Sequence, residues 1–207
     1  VKLKSPEEFK FIGKKTSIVD LEDIVTGKAI FGLDTKLEGA KVALVKRPPV
    51  AGGKVKSFNA DAAMQIPGVQ KVFEITSPGF PLQLDAPLGG VVVVADNSWA
   101  AMKGRNALKV VWDNGVNGNY DSDAYMETMM QKAKVKGKVR RKQGDADKAL
   151  QAASKKVEAE FRVHHLSHAP METPCAMAHF KDGKIEVWAP TQEPQWARGA
   201  VGGAVGL

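Results

Sequence analysis

Apolar and polar positions along this chain group into short blocks, and the period of each block indicates an element. Lys28–Leu33 and Lys41–Lys46 read as strands, the second closed by Arg47-Pro48-Pro49, where two prolines remove backbone donors. Gly52-Gly53 permits a tight bend into a weakly alternating strand at Lys54–Phe58. Asn59 then caps a short helix, Ala60–Gln65, that ends at Ile66-Pro67-Gly68. Val69–Ile75 is a strand with Val69, Phe73 and Ile75 expected on one face. Val91–Ala95 is a continuous apolar run suited to a strand buried on both sides. Asn97-Ser98 caps the helix Trp99–Ala107, and Leu108–Trp112 supplies the next strand. From Lys41 the order is strand, strand, helix, strand, strand, helix, strand, which argues an α+β fold rather than a doubly wound sheet.

The Asn- and Gly-rich stretch 113–118 reads as a linker. After it, Asp121-Ser122-Asp123 opens a helix whose Tyr125, Met126, Met129 and Met130 share an apolar face, and core filling is the reading for that methionine cluster. A second helix, Asp145–Ala153, follows Gly144. Lys156–Val163 alternates cleanly, with Val157, Ala159, Phe161 and Val163 expected to face inward. Thr191–Gln195 ends a strand and opens a helix running to Leu207, with Thr191 as its expected N-cap. The domain change is placed between Val111 and Gly144.

Composition adds bounds. Hydrophobic residues make up 43% and charged residues 26%, ordinary for a globular protein. No apolar run approaches the ~20 residues of a membrane helix. Cys175 is the single cysteine, so an internal disulfide is excluded. Val1 in place of Met, with no charged-then-apolar leader, reads as the start of a processed or excised chain. The net charge of +7 is partly concentrated: seven of the 30 basic residues fall in KAKVKGKVRRK, Lys132–Lys142. No aromatic residue interleaves there, which argues against a nucleic-acid platform and for a solvated run. A basic module for an acidic partner is the alternative function this charge offers.

Candidate chemistry gathers late in the chain. His164, His165, His168, Cys175 and His179 lie within sixteen residues, yet only His165 and His168 approach the spacing of a zinc pair, and a strand would send His164 and His165 to opposite faces. No metal site is expected. Glu172, in an apolar setting, is expected to accept backbone N–H bonds and hold the His168-Ala169-Pro170 turn rather than act as an acid. A strand-to-helix turn at Thr191–Gln195 points donors outward and suits an anionic group. The glycines 199, 202, 203 and 206 permit close helix packing without forming a dinucleotide fingerprint.

Two sets of motifs carry a resemblance. One is Gly144-Asp145-Ala146, His168-Ala169-Pro170-Met171-Glu172 and Val187-Trp188-Ala189-Pro190-Thr191-Gln192. The other is the ordered series Val19-Asp20, Thr26-Gly27, Phe31-Gly32-Leu33-Asp34, Arg47-Pro48-Pro49, Gly52-Gly53, Pro67-Gly68-Val69 and Ala95–Ala101. Together they resemble the molybdopterin-binding large subunit of the xanthine dehydrogenase (molybdenum hydroxylase) family, in particular the isoquinoline 1-oxidoreductase β-subunit and aldehyde dehydrogenase group.

The resemblance implies a lead-in at 1–18, an α/β hammerhead domain at 19–115, a linker and helix at 116–143, and at 144–207 the start of a molybdopterin-binding domain. It also implies that the chain is a fragment of an oxidoreductase hydroxylating an aldehyde or an N-heterocycle. The cofactor implied is a molybdopterin in its cytosine dinucleotide form. The partners implied are an iron–sulfur small subunit and an electron acceptor, and the location is the periplasm. On the same ground Gln192 and Arg198 are the expected cofactor-binding residues: Gln192 through its amide, Arg198 through a phosphate. Leu166 stands near the position where many relatives carry a glutamine whose amide approaches the metal, an amide that the isoquinoline group often lacks as well. The family's catalytic glutamate and its Gly-Gly-Phe-Gly segment are not found in the 207 residues, so no catalytic residue is assigned, no cofactor is expected on the fragment, and it is expected to be inactive.

Overall fold

The computed structural model describes residues 3–82 and 86–207, so the first two residues of the lead-in lie outside it. The chain packs as two units, residues up to Gly39 together with Pro170–Leu207, and Ala40–Ala169.

In the first unit, Leu21–Val25 forms the short helix α1. The strand expected at Lys28–Leu33 does not form. Its apolar residues Ile30 and Phe31 stay exposed, and Gly32–Asp34 is a 3-10 turn. The turn is locally closed: the Asp34 carboxylate accepts from the Phe31 N–H at 3.0 Å, and Thr35 N–H donates to Gly32 C=O at 3.3 Å. A side chain that can bond its own backbone competes with a ladder.

The second unit realises the element order read from Lys41. Its strands are β1 (Val42–Lys46), β2 (Lys54–Asn59), β3 (Val69–Ile75), β4 (Gly90–Ala95) and β5 (Lys109–Asp113), with α2 (Asp61–Met64) and α3 (Ser98–Ala107) between them. β4 is the middle strand of an antiparallel sheet of order β1-β4-β3, and β2 pairs antiparallel with β5. The central place explains the composition of β4. Val91, Val92 and Val93 are all buried, because a strand paired on both edges and covered on its faces needs no polar side. Ala63, Val91, Val93 and Leu108 form the centre of the core, with Val55, Phe58, Val69, Val72 and Val110 packed around them. A smaller cluster of Ala95, Ala100 and Ala101 meets Val42, Leu44 and Val69.

One facing differs from the sequence reading. A register shift between Val69 and Lys71 inserts an extra residue in β3, so Val72 is half-buried and Phe73 turns outward, while Val69 and Ile75 at the strand ends are half-buried. Phe73 then shares its face with Lys71, whose ammonium lies 5.4 Å from the ring centre.

Helix starts follow the capping residues. Asn97 Oδ1 accepts from Ala100 N–H at 2.9 Å at the head of α3. Asp121 does the same for α4 (Ser122–Ala133) and Asp145 for α5 (Ala146–Ala152). Met126 is buried and Met129 and Met130 are half-buried on α4, as their spacing predicts, while Tyr125 is exposed. Asn59 caps one position earlier than expected: its Oδ1 accepts from Asp61 N–H, and Ala60 is the residue at the N-cap.

The alternating segment Lys156–Val163 is not a strand. Val157 and Phe161 are each 86% exposed and Val163 69%, and among the described residues no ladder partner joins them. Alternation supplies a face, but a strand also needs a neighbour, and that requirement is invisible in local sequence. The segment is tied down by side chains instead. Arg162 bonds Glu160 at 2.8 Å and Glu127 of α4 at 2.9 Å.

Candidate functional site

The residues singled out near the end of the chain lie in the first unit, on a hairpin and the helix after it. β6 (Met177–Lys181) and β7 (Lys184–Trp188) pair antiparallel around Asp182-Gly183. Both turn residues have positive φ (51° and 71°), the geometry that two-residue hairpin loops favour. Ala189 and Pro190 end β7, and α6 (Pro194–Val205) begins with Pro194 in its first turn, where a missing N–H costs nothing. Glu193 is the N-cap and makes no side-chain cap bond. Thr191 sits two positions earlier than its expected role required, its hydroxyl accepting from Glu193 N–H at 3.1 Å. Gly206 (φ 75°) closes the helix in the left-handed conformation, and Leu207 N–H donates to Gly202 C=O at 2.9 Å.

Between β7 and α6 lies an open cleft of about 960 Å³. Ile185, Val187 and Val201 give it apolar walls, while Lys184, Glu186, Thr191, Gln195 and Arg198 supply polar groups, one of them a carboxylate. Arg198 therefore borders the cleft. Gln192 is exposed at the turn and is not among the lining side chains, whereas Gln195 is. Gln195 escaped the sequence reading, although its place one helical turn before Arg198 is the signal that could have found it.

Glu172 lies half-buried beside this region. Its Oε1 accepts from Leu33 N–H at 2.9 Å, so it anchors the 3-10 turn rather than the His168-Ala169-Pro170 turn that precedes it. The approach is close because residue 32 is glycine: a Cβ there would lie 3.0 Å from Cys175 Sγ and 3.3 Å from Glu172 Oε1.

The histidines divide between the units. In the second unit, His165 Nδ1 meets the Tyr120 hydroxyl at 3.2 Å, and its ring lies 5.6 Å from that of Tyr125. In the first, His179 faces Glu186 across the hairpin at 4.0 Å. Among the described residues no three His, Cys, Asp or Glu side chains converge as metal ligands. At Arg162 the hydrogen bond to Glu160, then the charges of Glu160 and Glu127, raise the pKa above the usual guanidinium value.

Residues 123–207, which include α4, α5, the hairpin and α6, match the model of the molybdopterin cofactor-binding domain family. The whole chain is 27% identical over 217 aligned residues to isoquinoline 1-oxidoreductase subunit beta of Brevundimonas diminuta, covering 100% of this chain and 26% of that protein. It is 31% identical over 197 residues to the membrane-bound aldehyde dehydrogenase [pyrroloquinoline-quinone] of Gluconacetobacter polyoxogenes, covering 92% of this chain and 24% of the relative. Residues 123–207 are thus similar to a molybdopterin cofactor-binding domain, and the chain as a whole is similar to part of these oxidoreductases.

The chain spans about a quarter of the length of these two relatives. The mixed helix-and-sheet fold is likewise shared with quinoline 2-oxidoreductase from Pseudomonas putida 86, at a TM-score of 0.58 and 20% identity, over 90% of this chain and 28% of that one. No helix among the described residues is long and apolar enough to cross a membrane.

Proposed function

We propose that this chain is the hammerhead and early cofactor-binding portion of a molybdenum hydroxylase subunit, from an enzyme that oxidises an aldehyde or an aromatic N-heterocycle. The match of residues 123–207 to the molybdopterin cofactor-binding domain carries this reading. Within it, residues 19–115 form the hammerhead domain, 116–143 the linker and helix, and 144–207 the start of the cofactor domain.

The donor set of the β7–α6 cleft fits such a cofactor. Arg198 and Lys184 offer cationic N–H donors for a phosphate, Gln195 an amide that both donates and accepts, and Thr191 a hydroxyl. The apolar walls from Ile185, Val187 and Val201 suit the flat face of a heteroaromatic ring. Gln192, exposed at the turn, would offer its amide to a polar edge of the cofactor, on the strength of the family resemblance. When bound, the cofactor would supply the redox and oxygen-transfer chemistry. The chain's own residues would bind and orient its phosphate and pterin edges.

In this reading the cofactor is the cytosine dinucleotide form, the partners are an iron–sulfur small subunit and an electron acceptor, and the assembly works in the periplasm. The family resemblance supports these finer assignments. The test is to isolate the intact protein that contains this chain, measure its molybdenum and pterin content, and assay oxidation of isoquinoline and of a simple aldehyde with an artificial electron acceptor. Stoichiometric molybdenum and turnover of either substrate are expected. An intact, folded protein purified from its native host without molybdenum or pterin would overturn the proposal.

A further inference from the structure

The basic run is the strongest surface feature that the cofactor reading leaves unused. All residues from Lys132 to Lys142 are exposed. No Asp or Glu occurs between Thr128 and Gly144, and the flanking carboxylates are already engaged: Glu127 holds Arg162, and Asp145 caps α5. Among the described residues no ion pair involves any of the seven cations, and Arg141 finds only the Gln143 amide, at 3.1 Å. Among the described residues this charge meets no carboxylate within ion-pair distance.

The backbone beneath it is also uncommitted. α4 ends at Ala133, and the last bond of its terminal turn runs from Val135 N–H to Lys132 C=O. From Lys136 to Gly144, no backbone–backbone hydrogen bond is formed among the described residues. Cations occupy alternate positions 134, 136, 138 and 140, separated by Val135, Gly137 and Val139. Drawn out as a strand, such a segment would present one ammonium or guanidinium about every 7 Å on a single face.

We propose that Lys134–Lys142 is a docking strip for an acidic, extended polypeptide segment of a partner protein, added edge to edge as a strand. Carboxylates at alternate positions of a partner strand repeat at the same interval, and the free N–H and C=O groups supply the ladder. A single-stranded nucleic acid has a similar charge repeat, but such platforms use aromatic side chains for stacking, and none lies between Tyr125 and Phe161. The proposal does not depend on the cofactor assignment.

The test uses the 207-residue chain and a labelled twelve-residue peptide of alternating glutamate and threonine, with a thymidine dodecanucleotide as competitor. Anisotropy should show saturable binding of the peptide that weakens with salt. Amide exchange at Lys136–Lys142 should slow on binding. The triple change Lys134→Glu, Lys136→Glu and Lys138→Glu should weaken binding by about 30-fold, as expected for three exposed charge pairs lost together. A neutral triple change to Gln at the same positions should fall between, and matched thermal melts keep both comparisons on folded protein. Binding that survives the charge reversal, binding without amide protection, or equal affinity for the oligonucleotide would each overturn the proposal.

Discussion

Gly104→Ala tests how tightly α3 is seated on the sheet. Gly104 is buried in α3, and a Cβ built on it would lie 2.8 Å from Val69 Cγ2 and 2.8 Å from Val93 Cγ1. Two effects oppose each other. Alanine in a helix interior is better than glycine by about 0.8–1 kcal/mol. Against that, an added methyl in a well-packed core costs about 1–3 kcal/mol. Here the strain should win, because the obstructing methyls come from two strands, β3 and β4, and a tilt of α3 away from one does not clear both. Both valines are β-branched and have little rotamer freedom with which to yield.

The net expectation is a loss of about 1 kcal/mol, and up to about 2 if Val93, which is fully buried, cannot move. Urea unfolding followed by far-UV circular dichroism reads it as a lowered midpoint at unchanged slope. In a Val69→Ala background the glycine substitution should cost about 0.5 kcal/mol less, because half of the obstruction has gone. Gly199→Ala is the control. It also lies inside a helix, but nothing stands within 4 Å of its would-be Cβ, so it should stabilise by up to about 1 kcal/mol. If Gly104→Ala raised the midpoint as Gly199→Ala does, the packing described for α3 would be wrong.

Asn97→Ala should cost about 1 kcal/mol through loss of the cap to Ala100 N–H, while Asn97→Asp should retain most of it; urea midpoints decide both. Glu172→Ala should speed amide exchange at Leu33 and lower stability by about 1 kcal/mol, because that N–H loses its acceptor; unchanged exchange at Leu33 would refute the contact. Gln192→Ala should leave the stability of this chain within about 0.5 kcal/mol, since the residue is exposed at an open turn. In the intact protein it should lower molybdenum content or turnover by roughly one to two decades, the loss of one bond in a shielded site, and wild-type values of both would remove Gln192 from the site. Added zinc should leave the melting temperature within roughly a degree, and a stoichiometric zinc adduct in native mass spectrometry would refute this.

Where local signals were strong, the sequence was a sufficient guide. The five strands from Val42 to Asp113 have short apolar blocks and nearby breakers, and Asn97, Asp121 and Asp145 mark helix starts with side chains that need only the next turn to act. The failures share a cause: they depend on partners or insertions that local pattern does not encode. Lys156–Val163 has the period of a strand without a neighbour to pair with. Ala29-Ile30-Phe31 has strand composition, but Asp34 closes the chain on itself first. Phe73 gives up its inward place to Val72 because one extra residue in β3 shifts the pairing between Val69 and Lys71. At the cleft, Gln195 and Arg198 share a wall while Gln192 stays exposed at the turn, because helix geometry, rather than proximity to the turn, selects which side chain faces inward.

The discontinuous packing of the chain has a consequence for its synthesis. Residues 40–169 form a contiguous unit whose core elements lie within about seventy residues of one another, so it can close as soon as it leaves the ribosome. The opening segment has to wait. Its partners begin at Pro170, about 130 residues later, an interval of roughly 7–26 s at ordinary elongation rates. During that time Leu33 has no Glu172 to bond. Leu3, Phe11, Ile12, Val19, Ile30 and Phe31, which remain largely exposed even in the finished fold, would be displayed on an unanchored nascent chain. The first forty residues are thus where a holding chaperone would have both the time and the apolar surface to bind.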